Sequence, residues 1–417
     1  MKKVTPKVWD VVVVGGGPAG MMAAAQAAAR GRAVLLLEKN QKLGKKLLIT
    51  GGGRCNVTNN KPEVRTMLTQ YKSGGKFLFS AFAQFAVDET IEFFTTRNLP
   101  LKEENEGRLF PETEKAESVW RVLVEGLQQS GVTVKSGSTV TRIMKDKLTG
   151  NFVITLKQGE VFEARACVVA TGGTSHPETG STGEGFKWLE NFGHTVVENN
   201  FALVPLALAD AWAKKLGGVT LRDIKLTVTA DGKKESSHLG KLLFTHFGVS
   251  GPTILNLSRE IGELLTHSRV TLLLDLFPKL DNGALREKLQ NLLTTESNKK
   301  IKNILGQLIP AALVGPILGL AEIDAEMPNH SVRRDERLKL VQLLKAIPLQ
   351  VKGLLGADKA VISAGGVKLE EINFKTMESR LVPGLYLVGD ILNIDRPSGG
   401  YSLQLCWTTG FVAGTNI

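Results

Sequence analysis

A glycine-rich loop near the start of the chain constrains the fold more than any other feature. Gly15, Gly17 and Gly20 form a G-x-G-x-x-G pattern between the run Val11–Val14 and an alanine-rich segment that ends at Gly31. A continuous β-branched run predicts a strand that is buried on both faces of a parallel sheet, and the alanine-rich segment predicts a helix. The pattern therefore lies where a strand turns into a helix, which is the context typical of dinucleotide binding.

The spacing within this unit indicates how a dinucleotide would bind. Ala33–Leu37 predicts a second buried strand, which completes a βαβ unit. Gly15 permits the tight turn, Gly17 lets the backbone approach a pyrophosphate, and Gly20 allows close helix packing. The diphosphate then meets the positive end of the helix dipole. Glu38 follows the second strand, where an acid hydrogen-bonds a ribose hydroxyl and repels a 2′-phosphate, so the site suits FAD or NAD rather than NADP.

The far end of the chain favours FAD. Val382–Asp390 (VPGLYLVGD) predicts a short strand whose terminal Asp390 can accept hydrogen bonds from the ribityl chain or from groups near the phosphates. A helix is predicted to begin at Gly399 or Gly400, with its first amides toward the flavin N1/O2 edge. A helix N-terminus stabilises the negative charge that reduced flavin gains there by about 0.3–1 kcal/mol. Cys167–Gly173 (CVVATGG) adds a third loop at a strand end.

Between these ends the sequence predicts two inserted segments. From about Asn199 strands follow one another without helices, and a hairpin turn is predicted at Asp231–Gly232. Helical periodicity then covers three stretches, which are 283–293, 301–318 and 332–344. Strands return after Lys352. We therefore expect a discontinuous nucleotide-binding domain with an all-β insertion and a helical insertion.

Six blocks in order give a more specific indication than any single fingerprint. They are KLLITGGGRCNVTN (46–59), GRLFPETEKAESV (107–119), ATGGTSHPETGSTGEGF (170–186), KLLFTHFGVSGP (241–252), SAGGV (363–367) and TMESRLVPGLYLVGD (376–390). Along nearly its whole length the chain resembles the three-domain bacterial NAD(P)/FAD-dependent oxidoreductases, which include aminoacetone oxidase-like and ribosomal-RNA dihydrouridine synthase-like flavoproteins.

The resemblance implies an α/β fold. A two-part Rossmann-like FAD-binding domain (1–198 and 353–417) would carry an inserted β-barrel domain (199–281, with some strand contribution from 345–366) and an inserted helical domain (282–352).

The resemblance also implies that the GGGRCN segment wraps the cofactor. Arg54 can neutralise the diphosphate, whereas Cys55 is better explained as a buried spacer than as a reactive thiol. The chain departs from the family pattern at Asn393, where an acid is expected, and at Ser402, where an Asn is expected. From the residues and the resemblance together, the predicted cofactor contacts are Gly15, Gly16, Gly17, Pro18, Ala19, Gly20, Glu38, Lys39, Lys46, Gly52, Gly53, Arg54, Cys55, Asn56, Val140, Ala170, Thr171, Gly172, Gly389, Asp390, Gly400, Tyr401 and Ser402.

Three side chains are candidates for the catalytic acid. His176 and His246 lie in loops that resemble family signatures, and a histidine can donate a proton near neutral pH, although a structural role is the favoured reading for each. Tyr401 is an alternative acid or a flavin stacker. No segment has metal-ligand spacing, and the three cysteines are isolated, which argues against a zinc site or a dithiol relay.

These features support several functions. The leading hypothesis is a reductase in which NAD(P)H reduces FAD and flavin N5 delivers hydride to a polarised C=C bond of a small-molecule substrate. No second complete G-x-G-x-x-G is present, so we expect the nicotinamide to visit the flavin face transiently. An oxidase of a small amine or aminoketone is an alternative, and a protein that holds FAD only as a structural ligand is a third reading.

The resemblance implies ribosomal RNA as an alternative substrate, because some proteins of this family are linked to dihydrouridine in ribosomal RNA. Reduction of the uracil 5,6 double bond is the same flavin chemistry, and the net charge of +11 permits an anionic partner. The basic clusters at 299–302 and 333–339 would then form a phosphate-binding face, although an ordinary helix surface explains them as well. No apolar run reaches the roughly 18 residues of a membrane span, and the first residues do not form a signal peptide, so we expect a cytoplasmic protein.

Overall fold

The computed structural model describes residues 7–61, 63–197, 201–355, 362–363 and 365–417. Its helices are α1 Pro18–Ala29, α2 Val64–Thr69, α3 Gly74–Phe82, α4 Val87–Thr95, α5 Ala116–Gln129, α6 Glu184–Asn191, α7 Ala211–Lys214, α8 Pro252–Leu265, α9 Asn282–Thr295, α10 Ile301–Leu308, α11 Ala311–Ala321, α12 Arg334–Lys345 and α13 Tyr401–Asn416. Its strands are β1 Val8–Val14, β2 Val34–Leu37, β3 Thr58–Asn59, β4 Leu101–Glu104, β5 Arg108–Pro111, β6 Thr133–Lys135, β7 Val140–Lys145, β8 Phe152–Leu156, β9 Val161–Val169, β10 Val196–Val197, β11 Phe201–Ala202, β12 Leu206–Leu208, β13 Thr220–Ala230, β14 Lys233–Thr245, β15 Gly248–Ser250, β16 Val270–Asp275, β17 Ile347–Leu354, β18 Ile362–Ser363, β19 Gly366–Val367 and β20 Leu385–Leu387.

The chain divides into two compact units. The nucleotide unit contains residues 1–201 and 360–417, and the barrel unit contains residues 202–359. The centre of the nucleotide unit is a sheet in the order β6-β2-β1-β9-β8-β7, in which β20 also pairs with β9. Strands β6, β2, β1, β9 and β20 run parallel. Their carboxyl ends therefore lie along one edge, where open α/β sheets bind ligands.

Two helices of small residues pack closely beside this sheet. Helix α1 is rich in alanine, and α13 carries Gly410 and Gly414 where the two helices meet. A Cβ atom at Gly410 would lie 2.5 Å from the Ala19 carbonyl oxygen, and one at Gly414 would lie 2.5 Å from the Ala23 carbonyl oxygen. Only glycine at these positions permits the backbones to approach so closely.

The barrel unit is built around a closed barrel with the strand order β12-β15-β14-β13-β16-β17. Asp231 and Gly232 form the two-residue turn between β13 and β14, and both have positive φ angles (47° and 79°), as a type I′ hairpin requires. The inward-facing strand residues and the apolar sides of α9 to α12 contribute to one continuous hydrophobic core. The barrel and the helices of this unit therefore share a single core.

The predicted fold class, a Rossmann-like α/β fold with an inserted barrel and inserted helices, is confirmed. The residue ranges given above for the three domains stay a prediction, and their boundary near Asn199 lies outside the described residues, as does Ala364 of the SAGGV block. The stretch predicted to be helical over 301–318 is helical, and it forms two helices, α10 and α11. Ile309 precedes Pro310 and is extended (φ −133°, ψ 159°), since the proline ring excludes helical geometry from the residue before it.

Within the described ranges, every helix falls short of the length and apolarity that a bilayer crossing needs.

We predict opposite effects for the same substitution at two helical glycines. Gly410→Ala should lower the free energy of unfolding by about 2 kcal/mol, because the new methyl group meets backbone of α1. Gly126→Ala in α5 should raise it by about 0.5–1 kcal/mol, because no atom lies within 4 Å of the added Cβ and alanine favours the helix. Denaturant unfolding of both variants measures these effects, and equal effects would contradict the close packing of α1 against α13.

Candidate functional site

A cleft opens at the carboxyl edge of the sheet in the nucleotide unit. Cofactors of open α/β sheets bind at this edge. The cleft is formed mainly by segments that follow the five parallel strands β1, β2, β6, β9 and β20. The lining residues are Val14, Gly15, Gly17, Pro18, Ala19, Leu37, Glu38, Lys39, Asn40, Gly44, Lys45, Lys46, Leu47, Ser138, Val140, Ala170, Thr171, Gly172, Thr179, Gly180, Ser181, Glu184, Trp188, Val388, Gly389, Asp390 and Cys406.

The three glycines of the first loop have distinct physical roles. Gly15 has a φ of 111°, and a Cβ there would lie 2.4 Å from the Ala170 carbonyl oxygen. A Cβ at Gly20 would lie 1.9 Å from the Gly15 carbonyl oxygen, so this glycine lets α1 pack on the turn. Gly17 differs, because no atom lies within 4 Å of its Cβ position. The open space at Gly17 lies at the N-terminus of α1, where a diphosphate binds favourably.

The buried Glu38 carboxylate is fixed by backbone and side-chain donors. Oε2 accepts a hydrogen bond from the Gly16 amide at 2.8 Å, and Oε1 accepts from both the amide and the Nδ2 atom of Asn40 at 2.7 Å. These donors hold the acid beside the glycine loop. Its position suits a carboxylate that accepts hydrogen bonds from ribose hydroxyls.

A strap formed by residues 174–184 lies against the loop 39–46. Asn40 Nδ2 donates to the Thr179 carbonyl at 3.0 Å, and Lys45 Nζ donates to the Glu178 carbonyl at 2.7 Å. Lys39 Nζ lies 2.8 Å from Glu184 Oε2. Residues of both segments line the cleft, so these contacts join two walls of the site.

Asp390 is a buried carboxylate between two cations. Arg396 Nη2 donates to its Oδ1 atom, and Lys46 Nζ lies 3.8 Å from its Oδ2 atom. Burial raises the pKa of Asp390, but the charges of Arg396 and Lys46 outweigh this effect and hold the pKa below its usual range. The carboxylate therefore stays ionised at neutral pH.

Helix α13 begins beside this ion pair. Gly400 caps the helix with a φ of 102°, and a Cβ there would lie 2.4 Å from the carbonyl carbon of Thr58. Tyr401 is 5% exposed, and burial together with the Glu106 carboxylate raises the pKa of Tyr401 to about 12. Its phenol is therefore protonated at neutral pH. The Ser402 hydroxyl accepts a hydrogen bond from Arg396 Nε at 3.0 Å.

The residues present fit an extended FAD. Glu38 would contact a ribose, and the diphosphate would occupy the open space at Gly17. Asp390 is connected through Arg396 with the first turn of α13. In the described part of the nucleotide unit, three buried side-chain oxygens have no hydrogen-bond partner, namely Thr171 Oγ1, Asn56 Oδ1 and Asn59 Oδ1. Buried polar atoms are rarely left unsatisfied. Thr171 lines the cleft, so a polar ligand there would supply a partner for its hydroxyl.

The structure brings many of the predicted cofactor residues together in the cleft. These are Gly15, Gly17, Pro18, Ala19, Glu38, Lys39, Lys46, Val140, Ala170, Thr171, Gly172, Gly389 and Asp390. Gly16 and Gly20 lie behind them, as the Gly16 bond to Glu38 and the Gly20 contact with Gly15 show. The predicted residues outside the lining are Gly52, Gly53, Arg54, Cys55, Asn56, Gly400, Tyr401 and Ser402. Their contacts with a cofactor stay a prediction.

The GGGRCN segment makes contacts within the protein. Arg54 forms an ion pair with Glu104, and its guanidinium lies 4.3 Å from the centre of the Phe110 ring. Burial raises the pKa of Cys55 to about 12, and the Thr50 hydroxyl lowers it only slightly. A thiol with that pKa is not a nucleophile at neutral pH. The structure thus gives Cys55 the properties of a spacer.

The two candidate histidines occupy different units. His176 lies in the strap with a φ of 55°, and its Nδ1 atom is 2.8 Å from Glu178 Oε1. His246 lies between β14 and β15 in the barrel unit. Neither is among the residues that line the cleft. Their catalytic role stays a prediction.

The sequence analysis missed several residues of the site. Asn40 directly follows Lys39 after the second strand, so its position was a usable signal. Thr179, Gly180, Ser181 and Glu184 belong to the quoted block 170–186, whose glycines indicated a loop near the cofactor. Arg396 gave no local signal, because its bond to Asp390 depends on how the chain folds back. No group of three or more histidine, cysteine or acidic side chains suited to a metal ion occurs within the ranges that the structure covers.

Comparisons with known proteins agree with this geometry. The family model described as "HI0933-like protein Rossmann domain" matches residues 9–416. A 3-dehydro-bile acid delta(4,6)-reductase from Clostridium scindens is 30% identical over 378 residues, which is 90% of this chain and 90% of the relative. A ribosomal RNA dihydrouridine synthase from Escherichia coli is 31% identical over 383 residues, which is 91% of this chain and 90% of the relative.

A solved structure shows the same fold. The 3-ketosteroid-delta4-(5alpha)-dehydrogenase from Rhodococcus jostii aligns with a TM-score of 0.53 and 17% identity, and the alignment covers 100% of this chain and 98% of that chain. At this level of identity the likeness supports the fold alone.

We predict that Gly17→Ala leaves the fold intact and weakens FAD binding. The residue has a φ of −77°, which alanine adopts readily, and its Cβ would project into open space. Because that space suits the diphosphate, FAD affinity should fall by about ten- to a hundredfold, the effect of an overpacking cost of ~1–3 kcal/mol. Fluorescence titration of apoprotein measures the affinity. Gly126→Ala is the matched control, and equal FAD affinity in both variants would place the diphosphate elsewhere.

Proposed function

Because the chain belongs to the HI0933-like Rossmann-domain family of FAD-dependent oxidoreductases, we propose that it is a reductase that passes hydride from NAD(P)H through FAD to a polarised C=C bond. One observation carries the proposal. The glycine loop after β1 and the loop after β20 that carries Gly389 and Asp390 are more than 350 residues apart in the chain, and both line one cleft together with Glu38.

The chain's own residues would bind and orient the cofactor. Glu38 would accept hydrogen bonds from a ribose, and the amides at the start of α1 would face the diphosphate. Asp390 would accept hydrogen bonds from the ribityl chain. When bound, FAD supplies the capacity for hydride transfer at its N5 atom.

Tyr401 is the best candidate for the group that donates the proton that must accompany the hydride. Its phenol carries a proton at the Oη atom because burial raises its pKa to about 12. It is the first residue of α13, the helix whose N-terminus would face the flavin ring. A protonated tyrosine can donate to the carbon next to the one that receives hydride.

A small conjugated substrate is supported by the relatives and by the surface charges. The relative from Clostridium scindens is named as a reductase of a 3-dehydro-bile acid, and uracil in RNA also carries a polarised C=C bond. The basic clusters that could bind RNA are largely neutralised within the barrel unit. Lys299 pairs with Glu296, Lys300 and Lys302 with Glu326, Arg333 with Glu336, and Lys339 with Glu322.

Ribosomal RNA remains the second candidate substrate. It is supported by the 31% identical relative from Escherichia coli, whose alignment covers both chains almost completely. The two candidates use the same chemistry at the flavin and differ in what enters the site. Product analysis therefore separates them.

We predict that NADH or NADPH bleaches the bound flavin under anaerobic conditions in a stopped-flow experiment. A conjugated enone added to the reduced protein should then restore the absorbance, with the saturated ketone as product. Flavin that neither nucleotide reduces would contradict the reductase scheme, and rapid reduction by a small amine would favour the oxidase instead. If dihydrouridine disappears from the ribosomal RNA of a deletion strain, RNA becomes the preferred substrate.

We predict that Tyr401→Phe slows reoxidation of the flavin by the substrate by about 10²- to 10⁴-fold, the usual contribution of a positioned acid. Reduction by NAD(P)H should keep its rate, because that step needs no proton from Tyr401. Since the raised pKa of Tyr401 is about 12, its phenol stays protonated and adds no pH dependence in the neutral range. Tyr386→Phe is the control, since Tyr386 is also buried but donates to the Asn416 carbonyl at the end of α13. Equal reoxidation rates in both variants would remove Tyr401 as the acid.

A further inference from the structure

Arg396 is a buried cation that the sequence analysis did not single out, and it lies between the predicted cofactor residues Asp390 and Gly400. Its side chain is 1% exposed. The guanidinium donates through Nη2 to Asp390 Oδ1, through Nε to Ser402 Oγ at 3.0 Å and through Nη1 to the Ile394 carbonyl at 2.7 Å. One side chain therefore connects the loop that follows β20 with the first turn of α13.

The charges around Arg396 do not cancel. Two cations, Arg396 and Lys46, face the single anion Asp390, and the neighbouring Asp395 has its own cation in Lys72 at 3.9 Å. The cluster thus carries one net positive charge. Because it is shielded from water, its field is screened less than that of a surface pair.

This positive charge lies where the helix dipole acts in the same direction. Ser402 belongs to the first turn of α13, and the N-terminus of this 16-residue helix also presents partial positive charge. A flavin whose pyrimidine edge faces this end would be stabilised when that edge becomes negative. The helix alone would provide part of this effect, and the net positive charge of the Arg396, Lys46 and Asp390 cluster adds to it.

We propose that Arg396 is a positioning residue with a second, electrostatic role. Its hydrogen bonds hold Asp390 and the start of α13 in the geometry that binds FAD, and its charge favours negative charge on the pyrimidine edge of the flavin. The proposal rests on FAD occupying this cleft, and it is independent of which substrate the reductase uses.

Sulfite binding to the flavin tests the electrostatic role of Arg396 without any turnover of substrate. The sulfur lone pair of sulfite forms a bond to flavin N5, and the ring accepts the electron pair at the N1–C2=O edge. Bleaching of the flavin absorbance therefore reports how well the protein stabilises negative charge there. FAD affinity, measured by fluorescence titration, reports the positioning role separately.

The two roles predict different results for two variants. Arg396→Gln removes the charge and should weaken sulfite binding by about tenfold, which corresponds to about 1.4 kcal/mol. Arg396→Lys keeps the charge but loses the planar fork, so it should bind sulfite almost as tightly as the unmodified protein. Both variants should bind FAD more weakly, because neither can hold Asp390, Ser402 and the Ile394 carbonyl at once.

Arg165→Gln is the matched control. Arg165 pairs with Asp10 toward the amino ends of β9 and β1, which is the opposite edge of the same sheet from the cleft. The affinities of the Arg165→Gln variant for sulfite and for FAD should equal those of the unmodified protein. If Arg396→Gln bound sulfite as tightly as the unmodified protein, the electrostatic role would be wrong. If FAD affinity also stayed unchanged in both Arg396 variants, the positioning role would be wrong as well.

A third variant keeps the electrostatic role testable if Arg396→Gln misfolds. If Arg396→Gln does not retain FAD, Arg396→His can be compared with the unmodified protein at pH about 6 and about 8, since histidine titrates between these values. A relative loss of sulfite affinity only at the higher pH supports the electrostatic role, and a pH-independent ratio overturns it. Failure of NAD(P)H to reduce the flavin would leave the sulfite result unaffected, so this proposal and the reductase scheme can fail separately.

Discussion

The close approach of backbone to backbone at the first glycine loop is the constraint on which the site depends. Gly20 lets α1 pack on the carbonyl oxygen of Gly15, and Gly15 in turn meets the carbonyl oxygen of Ala170 at the end of β9. Helix α1 therefore starts at the carboxyl edge of the sheet. The same packing continues into α13, where Gly410 meets Ala19. Because Thr409 Oγ1 of α13 accepts a hydrogen bond from the Gly389 amide, the loop that carries Asp390 is fixed to the same framework.

Features that depend on local spacing could be predicted from the sequence. The βαβ unit, Glu38 and the helix that begins after Gly400 follow from glycine spacing and apolar runs, and the structure places them accordingly. Features that depend on contacts between distant segments could not. The bond between Arg396 and Asp390 is one example, and the contacts of Asn40 and Lys45 with the strap are another.

The basic character of the chain is a poor guide to its partner. The net charge of +11 suggested an anionic surface such as RNA, yet five of the seven basic side chains in the two clusters lie in ion pairs. Exposed ion pairs contribute little to stability, so their effect here is mainly to lower the local positive potential. In the nucleotide unit, Lys39, Lys45 and Lys46 line the cleft together with Glu38, Glu184 and Asp390, so the formal charges there also balance. The N-terminus of α1 and the open space at Gly17 are therefore what favour a diphosphate in the cleft.

The start of α13 is held by buried hydrogen bonds that leave it little freedom. Gln404 Oε1 accepts from Thr58 Oγ1 at 2.6 Å, and Gln404 Nε2 donates to the Ala86 carbonyl at 3.0 Å. Tyr71 donates to the Tyr401 carbonyl at 2.9 Å, and Trp407 Nε1 donates to the Val57 carbonyl at 2.9 Å. Buried networks of this kind specify one geometry, because breaking any bond leaves an unsatisfied polar group. The dipole of α13 is therefore fixed before a ligand arrives, and a charge that develops on the ligand meets donors that need not reorganise. Side chains such as Gln404, Tyr71 and Trp407 would thus act on the chemistry of the site without contacting a reacting atom, because they fix the orientation of α13.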